Sequence, residues 1–379
     1  MDNLTICYFG TYREEYSRNK IMIKSLEKQG VKIIYCHKRV WNDIDERVDA
    51  VKKGWFNLGL LLRFISTYFS LIVKFFTLPE FDILMVGYPG QLDLHVAKIL
   101  TLFRKKPVVW DVFMSIALIS IERNLDKYNK PFIKFLQIIE KKALKLADLL
   151  IFDTEEYANW FIKTYNLKKM KYFIIPTGAD EEIFSLCENQ SKRNIDQFKL
   201  IYYGTFIPNH GVPYIIEASK FLTLEKSIKF QFIGEGPELE KCKNLVDKYN
   251  LSNVEFIPWQ NPNQIKKFIG DADIVLGAFG KTPQSLMTVQ NKIYESLAMG
   301  KLVVSGDSPT VRNHFINGQE IVLCDRDNPS DFANKIIELR DNKEKRFQIA
   351  ENGHKKFTSM YSILKIGGIL DENLRDLIK

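Results

Sequence analysis

Twelve short runs rich in β-branched and aromatic residues, each followed by a longer stretch with helical spacing, set the limits on what this 379-residue chain can fold into. Such alternation predicts parallel strands joined by helices. Leu4–Phe9, Val31–Tyr35, Ile83–Val86, Pro107–Trp110, Leu149–Phe152 and Tyr172–Ile175 read as the strands of one unit. Leu200–Tyr203, Ile228–Ile233, Val254–Ile257, Ile274–Ala278, Leu302–Ser305 and Ile321–Leu323 read as those of a second. Between them, Ser185 to Gln197 (SLCENQSKRNIDQ) is polar and without periodicity, and reads as a linker. The expected organisation is a first domain over 1–184, a linker over 185–197, a second domain over 198–360, and a last helix over 361–379 packing back on the first domain. The units open alike: Gly10-Thr11 follows the first strand of one and Gly204-Thr205 the first strand of the other. A glycine there permits close backbone approach at the ligand-binding edge of a doubly wound sheet. The expected fold is α/β, two Rossmann-like doubly wound domains facing one cleft.

Composition excludes other classes. With 46% hydrophobic and 26% charged residues the chain is neither disordered nor fibrous. Cys7, Cys36, Cys187, Cys242 and Cys324 are odd in number, scattered and never spaced C-x-x-C, which argues against a disulfide framework or a cysteine zinc site. The N-terminus Met1-Asp2-Asn3 lacks the basic region of a secretory signal, so a cytoplasmic location is expected, with attachment to the inner face of the cell membrane as its variant. The formal charge of +8 suggests an anionic partner, and residues 101–150 hold ten basic residues against five acidic ones.

Two helix candidates bear on that charge. Trp55 to Leu78 is long enough for the roughly 20 residues of a bilayer span, but Arg63 and Lys74 interrupt it. Arg63, Thr67, Ser70 and Lys74 recur at spacings of four, three and four, so they share one stripe of an otherwise apolar helix. Burial against a sheet with that stripe in water, and docking in a membrane interface, both fit the pattern. Pro131 to Asp148 sets Lys134, Gln137, Lys141 and Lys145 opposite Phe132, Phe135, Leu136, Ile139, Ala143 and Leu146. A solvated face is one account; an anionic membrane surface held through 55–78 and 131–148 is the other.

Several chemistries lose their evidence. Gly10-Thr11-Tyr12-Arg13-Glu14-Glu15 is no G-x-G-x-x-G fingerprint, there is no P-loop, the five histidines form no H-x-x-x-H pair, and no G-x-S-x-G elbow occurs. No metal site is expected, and no reader module for nucleic acid is visible. Gly234-Glu235-Gly236, after the strand Ile228–Ile233, forms a turn that admits a flat base or ribose, or a plain strand-to-helix connection. The densest constellation is Gly277 to Asp307. It includes a loop with Gly280 and Lys281, and a helix beginning near Asn291 that carries Lys292 and Glu295 one turn apart, near its positive end. Such a helix start suits a phosphate and such a glutamate a ribose; a solvated Lys–Glu pair is the competing account.

The chain resembles the family-4 retaining glycosyltransferases, which have the GT-B fold. The resemblance lies in Tyr203-Gly204-Thr205-Phe206-Ile207-Pro208-Asn209-His210-Gly211, Phe232-Ile233-Gly234-Glu235-Gly236 and Asn291-Lys292-Ile293-Tyr294-Glu295-Ser296-Leu297-Ala298-Met299-Gly300-Lys301. Gly10-Thr11, Ser17-Arg18-Asn19 and Asp153-Thr154-Glu155 match a subgroup more loosely. It implies sugar transfer from a nucleotide donor of the UDP, GDP or dTDP type, held by the C-terminal domain, to a glycan, lipid-linked or polysaccharide acceptor on the N-terminal one, with no further cofactor. Glu295 matches the second glutamate of the family's E-x7-E pattern, expected on the ribose, whereas Met287 stands where the first would be. Thr205 and His210 occupy positions where the family places a diphosphate-binding arginine and lysine, so Lys292, Lys281 and the Gly280 backbone are expected to carry more of that charge. The leaving diphosphate can itself take the acceptor proton, so the protein's share is positioning and charge stabilisation. Asp111, after the strand Pro107–Trp110, is expected on the acceptor side, orienting or handling a proton; a helix N-cap is its alternative. The rival function is a non-catalytic relative that binds a membrane surface or a partner, its donor site decayed at Met287, Thr205 and His210.

Overall fold

Uninterrupted apolar runs such as Ile83-Leu84-Met85-Val86 and Leu149-Leu150-Ile151-Phe152 are buried along their whole length, as strands covered by helices on both faces must be. The computed structural model describes residues 4–41, 58–127, 129–186 and 197–379. The chain divides into two units, Met1–Pro176 with Ile363–Lys379, and Thr177–Ser362.

The first unit runs β1 (Thr5–Gly10), α1 (Ser17–Lys28), β2 (Lys32–His37), α2 (Leu58–Thr77), β3 (Ile83–Val86), α3 (Asp93–Arg104), β4 (Val108–Phe113), α4 (Ile116–Glu122), α5 (Lys130–Leu146), β5 (Leu149–Phe152), α6 (Glu155–Tyr165) and β6 (Tyr172–Ile174). Its six strands are parallel in the order β2-β1-β3-β4-β5-β6, so the winding reverses between β1 and β3.

The second unit runs β7 (Phe198–Tyr203), α7 (Val212–Ser219), β8 (Ile228–Ile233), α8 (Leu239–Lys248), β9 (Val254–Ile257), α9 (Pro262–Asp271), β10 (Ile274–Leu276), α10 (Pro283–Met287), α11 (Asn291–Ala298), β11 (Leu302–Gly306), α12 (Pro309–His314), β12 (Val322–Cys324), α13 (Pro329–Asp341) and α14 (Lys343–Met360). Its sheet is β12-β11-β10-β7-β8-β9, also parallel, reversing between β7 and β10. All twelve expected strands form, within a few residues of their expected limits. The final helix α15 (Ile363–Ile378) belongs to the first unit, where Ile366, Leu370 and Leu374 share a core with Ile21, Met22 and Leu26 of α1.

Helix starts in the second unit follow from sequence. Asn261, Thr282, Ser308 and Asn328 each cap a helix whose first turn carries proline, and Asn261 forms a reciprocal box with Gln264. α11 is different: Gln290 precedes it without a side-chain bond to its first turn.

Three expectations are corrected. The division falls between Pro176 and Thr177, so residues 177–184 belong to the second unit, where Ala179 and Phe184 lie in the core with Ile293 and Leu297. α2 is apolar on both sides: buried Thr67 faces the protein with Leu60, Leu71 and Phe75, while Leu58, Leu61, Leu62, Ile65, Phe69, Val73 and Phe76 are 50–70% exposed. The polar stripe is therefore only partly in water: Arg63 and Lys74 are exposed, but Thr67 is buried and neighbouring Tyr68 turns inward, where its hydroxyl donates to Asp93 at 2.8 Å. Asp111 lies within β4, and Ser115 caps the helix that follows, so Asp111 is not an N-cap. Residues 55–57 of the first amphipathic stretch, 187–196 of the linker and Cys187 lie outside the described residues; the other four cysteines are free and buried.

Candidate active site

In an open parallel sheet, ligands bind beyond the carboxyl ends of the strands where the winding reverses. In the second unit that point lies between β7 and β10, and it is built from close backbone contacts. Gly204 follows β7 with φ +134°, and a Cβ on Gly234, itself at φ +140°, would lie 2.1 Å from the Gly204 carbonyl oxygen. Only glycine fits. Gly236 closes the same turn, where Phe206 N–H donates to the Glu235 carbonyl at 2.8 Å. Beyond β10, a Cβ on Gly280 would lie 2.3 Å from the Pro208 carbonyl, so the loops after β7 and β10 touch.

Lys292, in the first turn of α11, stands behind this turn. Its Nζ would be 3.3 Å from a Cβ on Gly204 and lies 4.0 Å from the Tyr202 ring centroid. The residue is buried and its ammonium has no hydrogen-bond partner. Burial pulls its pKa down to about 7, against a smaller upward pull from Glu295. Glu295 accepts from the Tyr203 hydroxyl at 2.7 Å, and burial holds its carboxyl above the usual range. A desolvated cation without a counter-ion, at a helix start that no side chain caps, is a place where an anion is stabilised.

The other expected donor residues divide. The Thr205 carbonyl accepts from the Tyr202 hydroxyl at 2.9 Å and lies 2.7 Å from His210 Nδ1, so Tyr202, Thr205 and His210 lock one loop. Lys281 is not aimed at Lys292: it forms a surface ion pair with Asp327. Glu235 contributes its backbone and exposes its side chain. The expectation missed Arg326, which donates to the carbonyls of Gly280, Gly306 and Asp307 and to Ser285 Oγ, fixing the Gly280 loop. Burial pulls its pKa down to about 10. No spacing around Arg326 in the sequence marks it.

In the first unit the expected residues are already engaged. Arg18 Nε and Nη2 donate to Asp111 at 2.9 and 2.8 Å, both side chains are fully buried, and Arg18 Nη1 reaches the Ile175 carbonyl at 2.7 Å. Asp111 is thus the partner of a bidentate ion pair, not a free base. Gly10 and Thr11 are likewise engaged: Asp93 accepts from Thr11 N–H at 2.8 Å, and a Cβ on Gly10 would lie 2.5 Å from its carboxylate. Asp153, after β5, is buried near Arg18 with Oδ1 unpartnered, and burial raises its pKa to about 7.

Residues 187–356 match the family described as "Glycosyl transferases group 1". The match covers less than half of the chain. The matched stretch contains Gly204, Gly234, Lys292, Glu295 and Arg326. An uncharacterized glycosyltransferase of Methanocaldococcus jannaschii is 27% identical over 197 residues, covering 52% of this chain and 51% of that protein. The chain spans about half the length of the curated relatives it matches first. Sucrose-phosphate synthase from Thermosynechococcus elongatus superposes with a TM-score of 0.75 at 13% identity, covering 99% of both chains. Anabaena HepE in complex with UDP gives 0.70 at 14% identity, covering 99% of this chain and 100% of its own. At such identities the likeness is one of fold, and the fold is GT-B.

Proposed function

We propose that the chain is a retaining glycosyltransferase whose group 1 domain holds a nucleotide-sugar donor and whose first unit receives a membrane-associated acceptor. The observation that carries the reading is Lys292: a buried ammonium without a partner, beside a glycine turn and one helical turn from Glu295. The donor diphosphate supplies the missing counter-charge, and Glu295 accepts the ribose hydroxyls. As the bond to the sugar breaks, charge builds on the leaving phosphate, and Lys292 with the α11 start stabilises it where water is excluded. The acceptor proton passes to that phosphate on the same face, so no carboxylate base is needed, consistent with Asp111 being taken by Arg18.

Membrane association is supported by the apolar side that α2 leaves exposed. Its exposed apolar face continues onto Ile99, Leu102 and Phe103 of α3, with Phe76 and Phe103 rings 5.7 Å apart. α2 is also long and apolar enough to cross a membrane by length and composition. Monomeric soluble proteins rarely expose contiguous apolar patches of that extent.

The test is a melting-temperature shift with UDP, GDP and dTDP, followed by an anomer-resolved transfer assay. A nucleoside diphosphate stabilises the wild type and Glu295→Ala removes most of the shift. Absence of any nucleotide response, with liposome binding intact, would favour the non-catalytic reading.

A further inference from the structure

The proposed donor site lies at the carboxyl end of the second unit's sheet. At the opposite end, among the starts of β7, β8 and β9, there is a recess of about 300 Å³ with a mostly polar lining. Lys199, Lys229, Gln231, Asn253 and Glu255 contribute to it. Lys199 precedes Gly204 by five residues of extended chain, about 16 Å, so the recess is separate from the glycine turn beside Lys292.

Strand register builds the recess. Lys199 of β7 pairs with Lys229 of β8, and Gln231 of β8 pairs with Glu255 of β9. Paired residues on neighbouring parallel strands project to the same face, with backbones about 4.8 Å apart. The two lysines therefore rise side by side, an arrangement in which like charges repel. Neither is ion-paired among the described residues. Glu255 instead accepts from Gln231 Nε2 at 2.9 Å, and Asp273 accepts from the Lys199 backbone N–H at 2.9 Å. Two half-exposed ammonium groups on one face without a counter-ion suit a phosphate.

Asn253 separates a ligand site from a merely solvated lysine pair. It is buried, its Nδ2 reaches the Leu222 carbonyl at 3.5 Å, and its Oδ1 meets no donor. A buried acceptor without a donor is rare and calls for one from outside the protein. The phosphate that suits the lysines is itself an acceptor, so the missing donor is a hydroxyl carried by the same ligand. The Gln231–Glu255 pair offers a further donor and acceptor to such a ligand. Phosphate and hydroxyls on one small, compact molecule describe a monosaccharide phosphate, and small-molecule pockets begin at about this volume.

We propose that this recess binds a monosaccharide phosphate, its phosphate on Lys199 and Lys229 and a ring hydroxyl donating to Asn253 Oδ1. The proposal does not rest on the transferase reading, because it uses neither Lys292 nor the glycine turn.

The test is calorimetric titration of the full chain with glucose 1-phosphate, glucose 6-phosphate, mannose 6-phosphate, inorganic phosphate and glucose, each with and without excess UDP. One-to-one binding of at least one sugar phosphate is expected, at least about tenfold tighter than inorganic phosphate and unchanged by UDP. K199Q/K229Q weakens it at least about tenfold, and Asn253→Ala removes the preference over inorganic phosphate. Circular dichroism checks folding, and the half-exposed lysine variant carries the test if the Asn253 variant does not fold. Equal affinity for inorganic phosphate, displacement by UDP, wild-type affinity in K199Q/K229Q, or no saturable binding overturns the proposal. Sugar-phosphate binding without any nucleotide response counts against the transferase reading alone; a nucleotide response without sugar-phosphate binding counts against the recess alone.

Discussion

The Lys292 ammonium sits 4.0 Å from the Tyr202 ring centroid and hydrogen-bonds to nothing. A π-face is a weak partner for a cation compared with a carboxylate, so the position is left electrostatically unfinished.

The pH dependence follows from that. The folded pKa of about 7 is depressed from 10.5, so the unfolded chain binds the extra proton between these values, and Lys292 makes stability rise with pH across that window. A bound diphosphate favours the ammonium, so donor affinity has the opposite slope: full below about pH 7 and weakening above it. UDP-glucose, whose diphosphate charge is constant here, should show this between about pH 6 and about pH 9 by calorimetry, with net proton uptake near neutrality. Lys292→Met should flatten the profile; an unchanged slope would remove Lys292 from the donor site.

Tyr203→Phe deletes the hydroxyl that donates to Glu295 at 2.7 Å. Loss of about 1–2 kcal/mol, or roughly fivefold to thirtyfold in nucleotide affinity, is expected with little change in circular dichroism.

Asp111→Asn leaves Arg18 buried with half of its bidentate partner gone, and a loss of about 3–5 kcal/mol of stability is expected, read by urea unfolding. The paired change Arg18→Met with Asp111→Leu should recover much of it. A stable Asp111→Asn protein that had lost only turnover would instead make Asp111 a catalytic group.

Leu62→Glu with Phe69→Glu places two charges on the exposed face of α2, where both side chains are more than half exposed. Liposome cosedimentation should fall at least about tenfold while the nucleotide melting shift is retained.

The strands were legible because parallel strands buried on both faces must be short apolar runs. Their lateral order was not, since winding reversal between β1 and β3 in one unit, and between β7 and β10 in the other, leaves no local mark. The i, i+3 spacing placed Lys292 and Glu295 on one face, but that Lys292 lacks a counter-ion is a property of the surrounding space. Asp111 drew attention as a lone acid after a strand, and its partner Arg18 is 93 residues away. Periodicity marked a polar stripe on α2 but could not say how the apolar residues around it divide between a buried and an exposed side; the Tyr68–Asp93 bond shows which side turns inward.

The contact between Gly204 and Gly234 also limits how this chain can diversify. With backbone packed on backbone at 2.1 Å from where a side chain would begin, neither position can be used to alter specificity. Thr205 sits on the same loop and gives only its carbonyl to the lock with Tyr202 and His210, so its side chain can be exchanged without undoing that lock. Sequence drift at this turn is thereby channelled into the Thr205 side chain, a position where this chain differs from the family it resembles.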